Sequence, residues 1–115
     1  MKEGFYSIVF VGADGDWGMG ILVLDTGMVV GADVAAGKYD GTFEFNPRSA
    51  MIDIDINVTI PPGVQTVMGT PPLPQEAQFP IKASFPRETP EHPIHVNTPF
   101  GPINVLVKYL RGFPD

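Results

Sequence analysis

The segment from Ile52 to Ile60 constrains the fold more than any other part of the sequence. It reads Ile-Asp-Ile-Asp-Ile-Asn-Val-Thr-Ile, so β-branched residues occupy every second position and polar residues occupy the positions between them. Because successive side chains of a β-strand point to opposite faces of a sheet, the pattern predicts a strand with one face in a core and one in water. The predicted inward residues are Ile52, Ile54, Ile56, Val58 and Ile60.

A second alternating segment runs from residue 38 to residue 45. Its aromatic residues Tyr39, Phe43 and Phe45 fall on one side, and polar or charged residues fall on the other. Gly41 lies on the aromatic side, where a glycine within a strand often marks a bend or a close approach of backbone. We therefore predict that the three aromatic residues line the interior of a sheet that curls into a barrel.

The first two apolar segments, 5–11 and 20–24, lack this alternation and are apolar on both sides. An antiparallel sheet with one face in water would alternate between apolar and polar residues. The outer face of these strands is therefore predicted to be covered. A second subunit is the favoured cover, because few residues are free to form a covering helix. The first strand offers two registers for the dimer face, with the other set of residues facing the core. One set is Phe5, Ser7, Val9 and Val11, and the other is Tyr6, Ile8 and Phe10.

Glycine and proline set the lengths of the remaining elements. The chain contains 13 of each, and proline is confined to strand starts, sheet edges and turns. Turns are predicted at 13–16, 25–27 and 61–63, and a loop at Thr70–Pro74. The apolar segments that remain predict strands at 28–30, 78–85, 94–97 and 102–111. The sequence thus predicts a single all-β domain over residues 1–115, either a small antiparallel up-and-down barrel or a flattened sandwich of about eight strands.

Composition excludes several classes of function. The net charge is −6, and the seven basic residues are scattered along the chain. A protein that binds DNA or RNA directly needs a clustered basic face, so direct nucleic-acid binding is not expected. The absence of cysteine excludes disulfides and thiolate chemistry. No apolar run reaches the ~20 residues of a membrane helix, and the N-terminus does not have the pattern of a signal peptide. We therefore expect a cytoplasmic protein that does not enter a membrane.

The sequence offers little catalytic or metal-binding chemistry. It has no serine in a Gly-x-Ser-x-Gly turn and no phosphate-binding loop. His92 and His95 would lie on opposite faces of a strand, and no third zinc ligand is near them. Asp14 and Asp16 are interpreted as turn residues, and Trp17 as a core or interface anchor. We predict a protein that is not an enzyme and that has no cofactor and no metal site.

An ordered series of short segments carries a family resemblance over roughly the first 41 residues. The segments are Lys2–Phe10, Gly18–Val23, Gly31–Ala35 and Tyr39–Gly41. In these the chain resembles the GrlR-like family of negative regulators of type III secretion. The resemblance implies a lipocalin-like β-barrel that forms a homodimer. It also implies a protein that holds a helix-turn-helix transcriptional activator and does not itself touch DNA.

The sequence departs from this family just after the Tyr-x-Gly segment. The repressors carry a run of consecutive acidic residues there, whereas residues 42–48 of this chain contain a single acid and an arginine. The candidate partner-facing residues in this stretch are Glu44, Asn46 and Arg48. Asp33, in the matching Gly-Ala-Asp stretch, is expected to accept hydrogen bonds from backbone groups of a turn.

Two functions remain open from the sequence, besides a structural domain with an unknown partner, which the sequence cannot separate from the first of them. The first is a non-catalytic regulatory binding protein that sequesters a transcriptional activator. The alternative is a lipocalin-like carrier, because a barrel of about eight strands is just wide enough to hold one small apolar ligand. The interior decides between them: no cavity remains if it is filled by Tyr39, Phe43, Phe45, Ile54 and Ile56.

Overall fold

The computed structural model describes residues 2–66, 71–88 and 92–114. Every regular element in these ranges is a β-strand, which confirms the all-β prediction. The strands are β1 (Gly4–Gly12), β2 (Trp17–Asp25), β3 (Met28–Asp33), β4 (Lys38–Asn46), β5 (Met51–Ile60), β6 (Ala77–Pro86), β7 (Ile94–Thr98) and β8 (Gly101–Arg111). Over the same ranges the structure contains no helix that is long and apolar enough to cross a membrane.

All eight strands belong to one antiparallel sheet in the order β6-β5-β4-β3-β2-β1-β8-β7. Strands β1 to β6 follow one another as an up-and-down meander, and β8 returns to pair with the other side of β1. The two edge strands, β6 and β7, approach each other and bring the sheet almost to closure. Across this seam the ring of Phe79 packs edge-to-face on that of Phe100, with centroids 5.3 Å apart. The predicted barrel is therefore correct, and it is flattened, with extents of 40 × 29 × 20 Å.

The alternating residues of each strand supply the core. Ile54 of β5 stands opposite Phe43 of β4 and Ala83 of β6, so inward side chains meet across neighbouring strands. The core consists of buried apolar side chains from seven strands and from both halves of the sheet. Its buried members are Tyr6, Ile8, Leu22, Leu24, Val29, Tyr39, Ile52, Ile54, Val58, Ile60, Phe79, Phe85 and Val107.

The turns form where the sequence places flexible residues. The β1–β2 turn is closed by the amide of Gly12, which donates to the Asp16 carbonyl at 2.8 Å, and Gly15 has a φ of 89° within it. Gly63 has a φ of 79°, as the predicted turn after β5 requires. Thr70, the first residue of the predicted proline-rich loop, lies outside the described residues.

The up-and-down connectivity gives the barrel two different ends. We call one the closed end, which comprises the N- and C-termini and the β2–β3, β4–β5 and β6–β7 connections. We call the other the open end, which comprises the β1–β2, β3–β4, β5–β6 and β7–β8 connections.

Candidate functional site: an apolar cavity and an apolar outer face

Large side chains fill the barrel at the closed end. Tyr6, Leu24 and Val29 are completely buried there. The ring of Tyr6 packs edge-to-face on Tyr109 with centroids 5.3 Å apart. Burying a hydroxyl without a hydrogen-bond partner costs free energy. The Tyr6 hydroxyl has a partner, because it donates to the Lys2 carbonyl. This end is a packed core that leaves no room for a ligand.

The open end contains a cavity of about 220 Å³. Its wall is made of inward side chains from several strands, including Ile8, Ile56, Val58 and Val105. Residues of the β3–β4 and β5–β6 connections form its rim. Apolar cavities accept apolar molecules; an engineered, enclosed example of about 150 Å³ binds benzene. The cavity of this chain is larger than that, so it has room for a small apolar molecule.

The polar pair of Asp33 and Tyr39 interrupts the apolar wall, where Asp33 is the last residue of β3 and Tyr39 is the second residue of β4. The Tyr39 hydroxyl donates to Oδ2 of Asp33, and both residues line the cavity. Oδ1 of Asp33 accepts from the amides of Ala35 at 3.0 Å and Gly37 at 2.8 Å, as expected for an aspartate in a turn. A Cβ at position 37 would lie 2.4 Å from Oδ2 of Asp33, so glycine is needed for this close approach.

The contact between Asp33 and Tyr39 also keeps the phenol of Tyr39 protonated. Burial raises the pKa of Tyr39 far above its ordinary value, and the hydrogen bond to Asp33 and the negative charge of that residue raise it further. The phenol therefore keeps its proton at any physiological pH, and that proton is committed to Asp33.

The rim of the cavity carries exposed apolar side chains. Trp17 is 65% exposed and Val34 is 78% exposed, and both border the cavity. Trp17 is thus not buried in the core. As the single tryptophan of the chain, it gives a fluorescence signal from the cavity rim.

A second feature lies on the outside of the barrel. The outward residues of three adjacent strands, β1, β2 and β3, are mostly apolar, and Leu106 of β8 continues this surface beside the polar outward residues Asn104 and Lys108. We call this surface the apolar outer face, and its residues are Phe5, Val9, Val11, Met19, Ile21, Val23, Val30, Ala32 and Leu106. Among them Met19, Ile21, Val30 and Leu106 are between 40% and 46% exposed. Val9 stands opposite both Met19 and Leu106 in the sheet, so these side chains form one continuous surface.

The sequence left open which of two alternating sets of β1 residues faces the core, and the structure decides between them. Tyr6 and Ile8 are buried, and Phe10 packs against the same core. Phe5, Val9 and Val11 point outward with Ser7, and Val11 is 37% exposed. The candidate dimer face is therefore the Phe5 set, and the core face is the Tyr6 set.

The candidate interior residues of β4 and β5 divide between the two ends of the barrel. Tyr39, Ile54, Ile56 and Val58 line the cavity, whereas Ile52 and Phe43 belong to the packed core away from it. Phe45 departs from the prediction, since its side chain is 42% exposed. It is the last inward position of β4 at the closed end, and its ring packs beneath the guanidinium of Arg87 at 5.1 Å.

The outward residues of β4, β5 and β6 form a contrasting polar outer face, which comprises Asp40, Thr42, Glu44, Asp53, Asp55, Asn57, Lys82 and Ser84. Glu44 stands directly opposite Asp53 in the sheet. Asp53 accepts hydrogen bonds from Ser84 at 2.7 Å and from Asn46 at 3.1 Å, and these bonds hold the pKa of its carboxyl below its ordinary value. Of the candidate partner-facing residues, Glu44 and Arg48 are exposed and Asn46 is half-buried. The side-chain oxygen of Asn46 accepts from the Arg48 amide.

Other site chemistry is sparse over residues 2–66, 71–88 and 92–114. No group of three or more His, Asp or Glu side chains in these ranges is arranged to hold a metal ion. His95 lies on the outer side of β7 and contacts Asn97. The cavity and the apolar outer face are accordingly the two candidate sites.

Sequence reasoning left open whether the interior contains a cavity, and it missed the partnership of Asp33 with Tyr39. The two residues were placed correctly in a turn and on an inward face, but their contact depends on how the β3–β4 turn folds back. Comparison of the sequence with models of known protein families finds no match, and comparison with curated proteins finds none either.

Proposed function

We propose that this chain is a non-catalytic regulatory binding protein of the cytoplasm that works as a homodimer. In this proposal it acts as its resemblance to the GrlR-like negative regulators implies, by holding a transcriptional activator. The observation that carries the proposal is the apolar outer face. Outward positions of a barrel strand normally alternate to polar residues, and here β1, β2 and β3 are apolar at most of these positions.

The size of the apolar outer face fits a protein interface. Neighbouring strands lie ~4.8 Å apart and residues rise ~3.4 Å along a strand. Four strands over the length from Phe5 to Val11 therefore cover about 400 Å² in projection, and the accessible area of the side chains is larger. Contiguous exposed apolar patches above a few hundred Å² mark interaction sites.

A second copy of the chain is the occupant that fits this face best. The face lies on one side of the sheet, and its nine residues carry no charge, while the charged Lys108 of β8 lies beside it, opposite Ser7. Such a surface can meet itself across a two-fold axis, because the same patch then serves both subunits. Two copies packed over β1, β2 and β3 would bury the apolar residues and leave Lys108 of β8 at the solvated rim of the interface.

The polar outer face remains free in such a dimer and suits a basic partner. Asp40, Glu44, Asp53 and Asp55 point outward from β4 and β5, where Lys82 approaches Asp55 at 4.0 Å. A DNA-binding activator presents a basic surface for phosphates, and an acidic face attracts such a surface. The carboxylates of two adjacent strands would take the place of the consecutive acids found in the family.

The dimer is tested by placing a charge on each face in turn. Ile21→Lys puts a lysine at the centre of the apolar outer face, and Thr42→Lys puts one at an outward position of the polar face. Light scattering after size exclusion should show a dimer for the wild type and for Thr42→Lys, and a folded monomer for Ile21→Lys. A monomeric wild type at micromolar concentration, or a dimeric Ile21→Lys variant, would contradict the proposal.

Activator binding needs its own experiment. Tagged wild-type protein is compared with the double variant Asp40→Lys/Glu44→Lys and with Asp14→Lys/Asp16→Lys, which makes the same charge change in the exposed β1–β2 turn. We expect a protein with a helix-turn-helix domain to be captured from the native host by the wild type and the turn variant, but not by the β4 variant. Equal capture by all three, or capture of no such protein, would count against the activator role.

The cavity supports a second candidate function, which is binding of a small apolar ligand. The 220 Å³ volume at the open end is the specific observation in its favour, because Tyr39, Ile54 and Ile56 line this space without filling it. Native mass spectrometry of freshly purified protein should show a bound small molecule that is lost on denaturation. The two functions are compatible, since one uses the interior and the other the outer surface.

A further inference from the structure

The chemistry of the cavity wall restricts what the cavity can hold. The most informative feature is the Asp33–Tyr39 pair, because it is the place where the apolar wall presents polar atoms with a defined direction of hydrogen bonding. This restriction on the ligand rests on the proposed ligand-binding role of the cavity.

The pair presents acceptors and no free donor. Tyr39 donates its one proton to Oδ2 of Asp33, so its oxygen can only accept from a further partner. Asp33 is a carboxylate whose Oδ1 already accepts two amide hydrogens, and carboxylates donate nothing. A phenol oxygen that donates to a carboxylate is also a stronger acceptor, since hydrogen bonds in a chain polarise one another.

Other polar side chains also border the cavity, namely those of Gln65, Thr66 and Thr98. The Thr98 hydroxyl donates to the Gly101 carbonyl at 2.7 Å, and Gln65 and Thr66 have interaction partners of their own. Among the described lining residues Asp33 is the one with a charged side chain, and none is a lysine, arginine or histidine. A ligand carboxylate would therefore meet a negative charge in a poorly solvated space, where repulsion is strong.

Size sets the second limit. The cavity is below the ~300 Å³ at which pockets for drug-sized molecules begin. It exceeds the ~150 Å³ that admits benzene. One ring with a small substituent, or a short alkyl chain, fits between these limits.

We infer that the cavity binds a small apolar alcohol, a single ring or short chain whose hydroxyl donates its hydrogen to the Asp33–Tyr39 pair, and that it discriminates against the corresponding carboxylic acids. The apolar body of such a ligand would lie against Ile56, Val58 and Val105. Its entry past Trp17 would make binding visible in tryptophan fluorescence.

Three probes of the same shape test the inference on the wild-type protein. Benzyl alcohol, toluene and benzoate differ in offering a hydroxyl, no polar group and a carboxylate. Titrations are followed by Trp17 fluorescence excited at a wavelength beyond the probes' absorption, and by amide shifts at Val34 and Ala35. We expect benzyl alcohol to bind about threefold to tenfold more tightly than toluene, the range that one net hydrogen bond gives, and benzoate to bind at least tenfold more weakly than benzyl alcohol.

Asp33→Asn provides the sharper test, because asparagine keeps the Oδ1 acceptor of the turn and replaces Oδ2 with a donor. The amide can then donate to the Tyr39 oxygen, and the Tyr39 hydrogen becomes available to a ligand. The variant should bind benzoate at least tenfold more tightly than the wild type does and lose its preference for benzyl alcohol over toluene. Asp40→Asn removes the same charge from the polar outer face and should leave all three affinities unchanged.

The outcomes separate the inference from the function on which it rests. If the wild type binds neither toluene nor benzyl alcohol at millimolar concentration, the ligand-binding role of the cavity fails and the inference fails with it. If toluene or benzoate binds as tightly as benzyl alcohol, the cavity is a binding site but the assignment of an alcohol is wrong. The wild-type series decides this even if Asp33→Asn does not fold.

Discussion

The two halves of the barrel have the same interior and opposite exteriors. In the half made of β4, β5 and β6 the outward residues are mostly polar, as at Asp53 and Asp55, whereas in the half made of β8, β1, β2 and β3 they are mostly apolar, as at Val9 and Ile21. The inward residues of both halves are aliphatic or aromatic and pack into one core. The difference therefore has no role in closing the barrel, and it supports our proposal that a second subunit covers the apolar half.

The largest expected effect compares two neighbouring residues of β2, one inward and one outward. Both are apolar, so the sequence alone does not tell which of them faces the core. Leu22 is 6% exposed and Ile21 is 41% exposed. Leu22→Ala should lower the free energy of unfolding by about 2–5 kcal/mol, because it leaves a cavity in the core. Ile21→Ala should cost less than about 1 kcal/mol in a monomer. Urea unfolding at equilibrium measures both.

The same pair of variants sharpens the dimer proposal. Unfolding of a dimer depends on protein concentration by mass action. The midpoint of the wild type and of Leu22→Ala should therefore rise with concentration, and that of Ile21→Ala should rise less. Equal costs for the two substitutions would show that the inside–outside assignment of β2 is wrong.

How far the sequence could predict this structure also differs between the halves. In β4 and β5 strict alternation settled both the strand and its inward face, as at Ile54 and Val58. In β1 the strand was predicted, but an apolar residue at every position left its facing open between the Phe5 and Tyr6 sets. Which set of β1 residues faces the core depends on how β1 pairs in the folded sheet. Its pairing with β8 joins residues about a hundred positions apart, such as Val9 and Leu106.

The cavity lay beyond sequence reasoning for a related reason. Whether inward side chains fill a barrel depends on where each lies along its axis, and alternation carries no information on that. Tyr39 and Phe43 have the same pattern, yet one borders the cavity and the other packs beyond it. Phe45 follows the pattern too, and it is exposed because β4 ends one residue later.

In the polar half, we expect a loss of stability of intermediate size from a substitution at Gly41 and a smaller one from a substitution at Thr42. Gly41 faces inward, and a Cβ there would lie 2.0 Å from the Asp55 carbonyl oxygen, so the backbone of β4 or β5 would have to shift. Gly41→Ala should therefore cost about 1–3 kcal/mol, as overpacking does. Thr42→Ala changes the adjacent outward position and should cost less than about 0.5 kcal/mol. Thermal and urea unfolding measure both, and a neutral Gly41→Ala would mean that the two strands are not this close.

The smallest effect concerns the pH dependence that the polar outer face gives to stability. The Asp53 carboxyl has its pKa lowered from an ordinary value of 3.8, first by the hydrogen bond from Ser84 and then by that from Asn46. A carboxyl with a lowered pKa in the folded state stabilises that state above its ordinary pKa, and this stabilisation is lost as the pH falls through the lowered value. Ser84→Ala removes the larger cause, so the pKa of Asp53 should rise towards 3.8.

The free energy of unfolding should consequently be lower for Ser84→Ala than for the wild type at pH 7, and the gap should narrow below about pH 4 as Asp53 becomes protonated in both proteins. Thr59→Ala removes a hydroxyl from another outward position of β5 and should give a gap that does not change with pH. Carbon-detected NMR titration of the Asp53 carboxyl gives the pKa directly. An unchanged Asp53 titration in Ser84→Ala would show that this hydroxyl does not hold the carboxylate in solution. None of the nine residues of the apolar outer face is a carboxylate, so the pH dependence that Asp53 contributes belongs to the polar half, the one that we propose stays in contact with water.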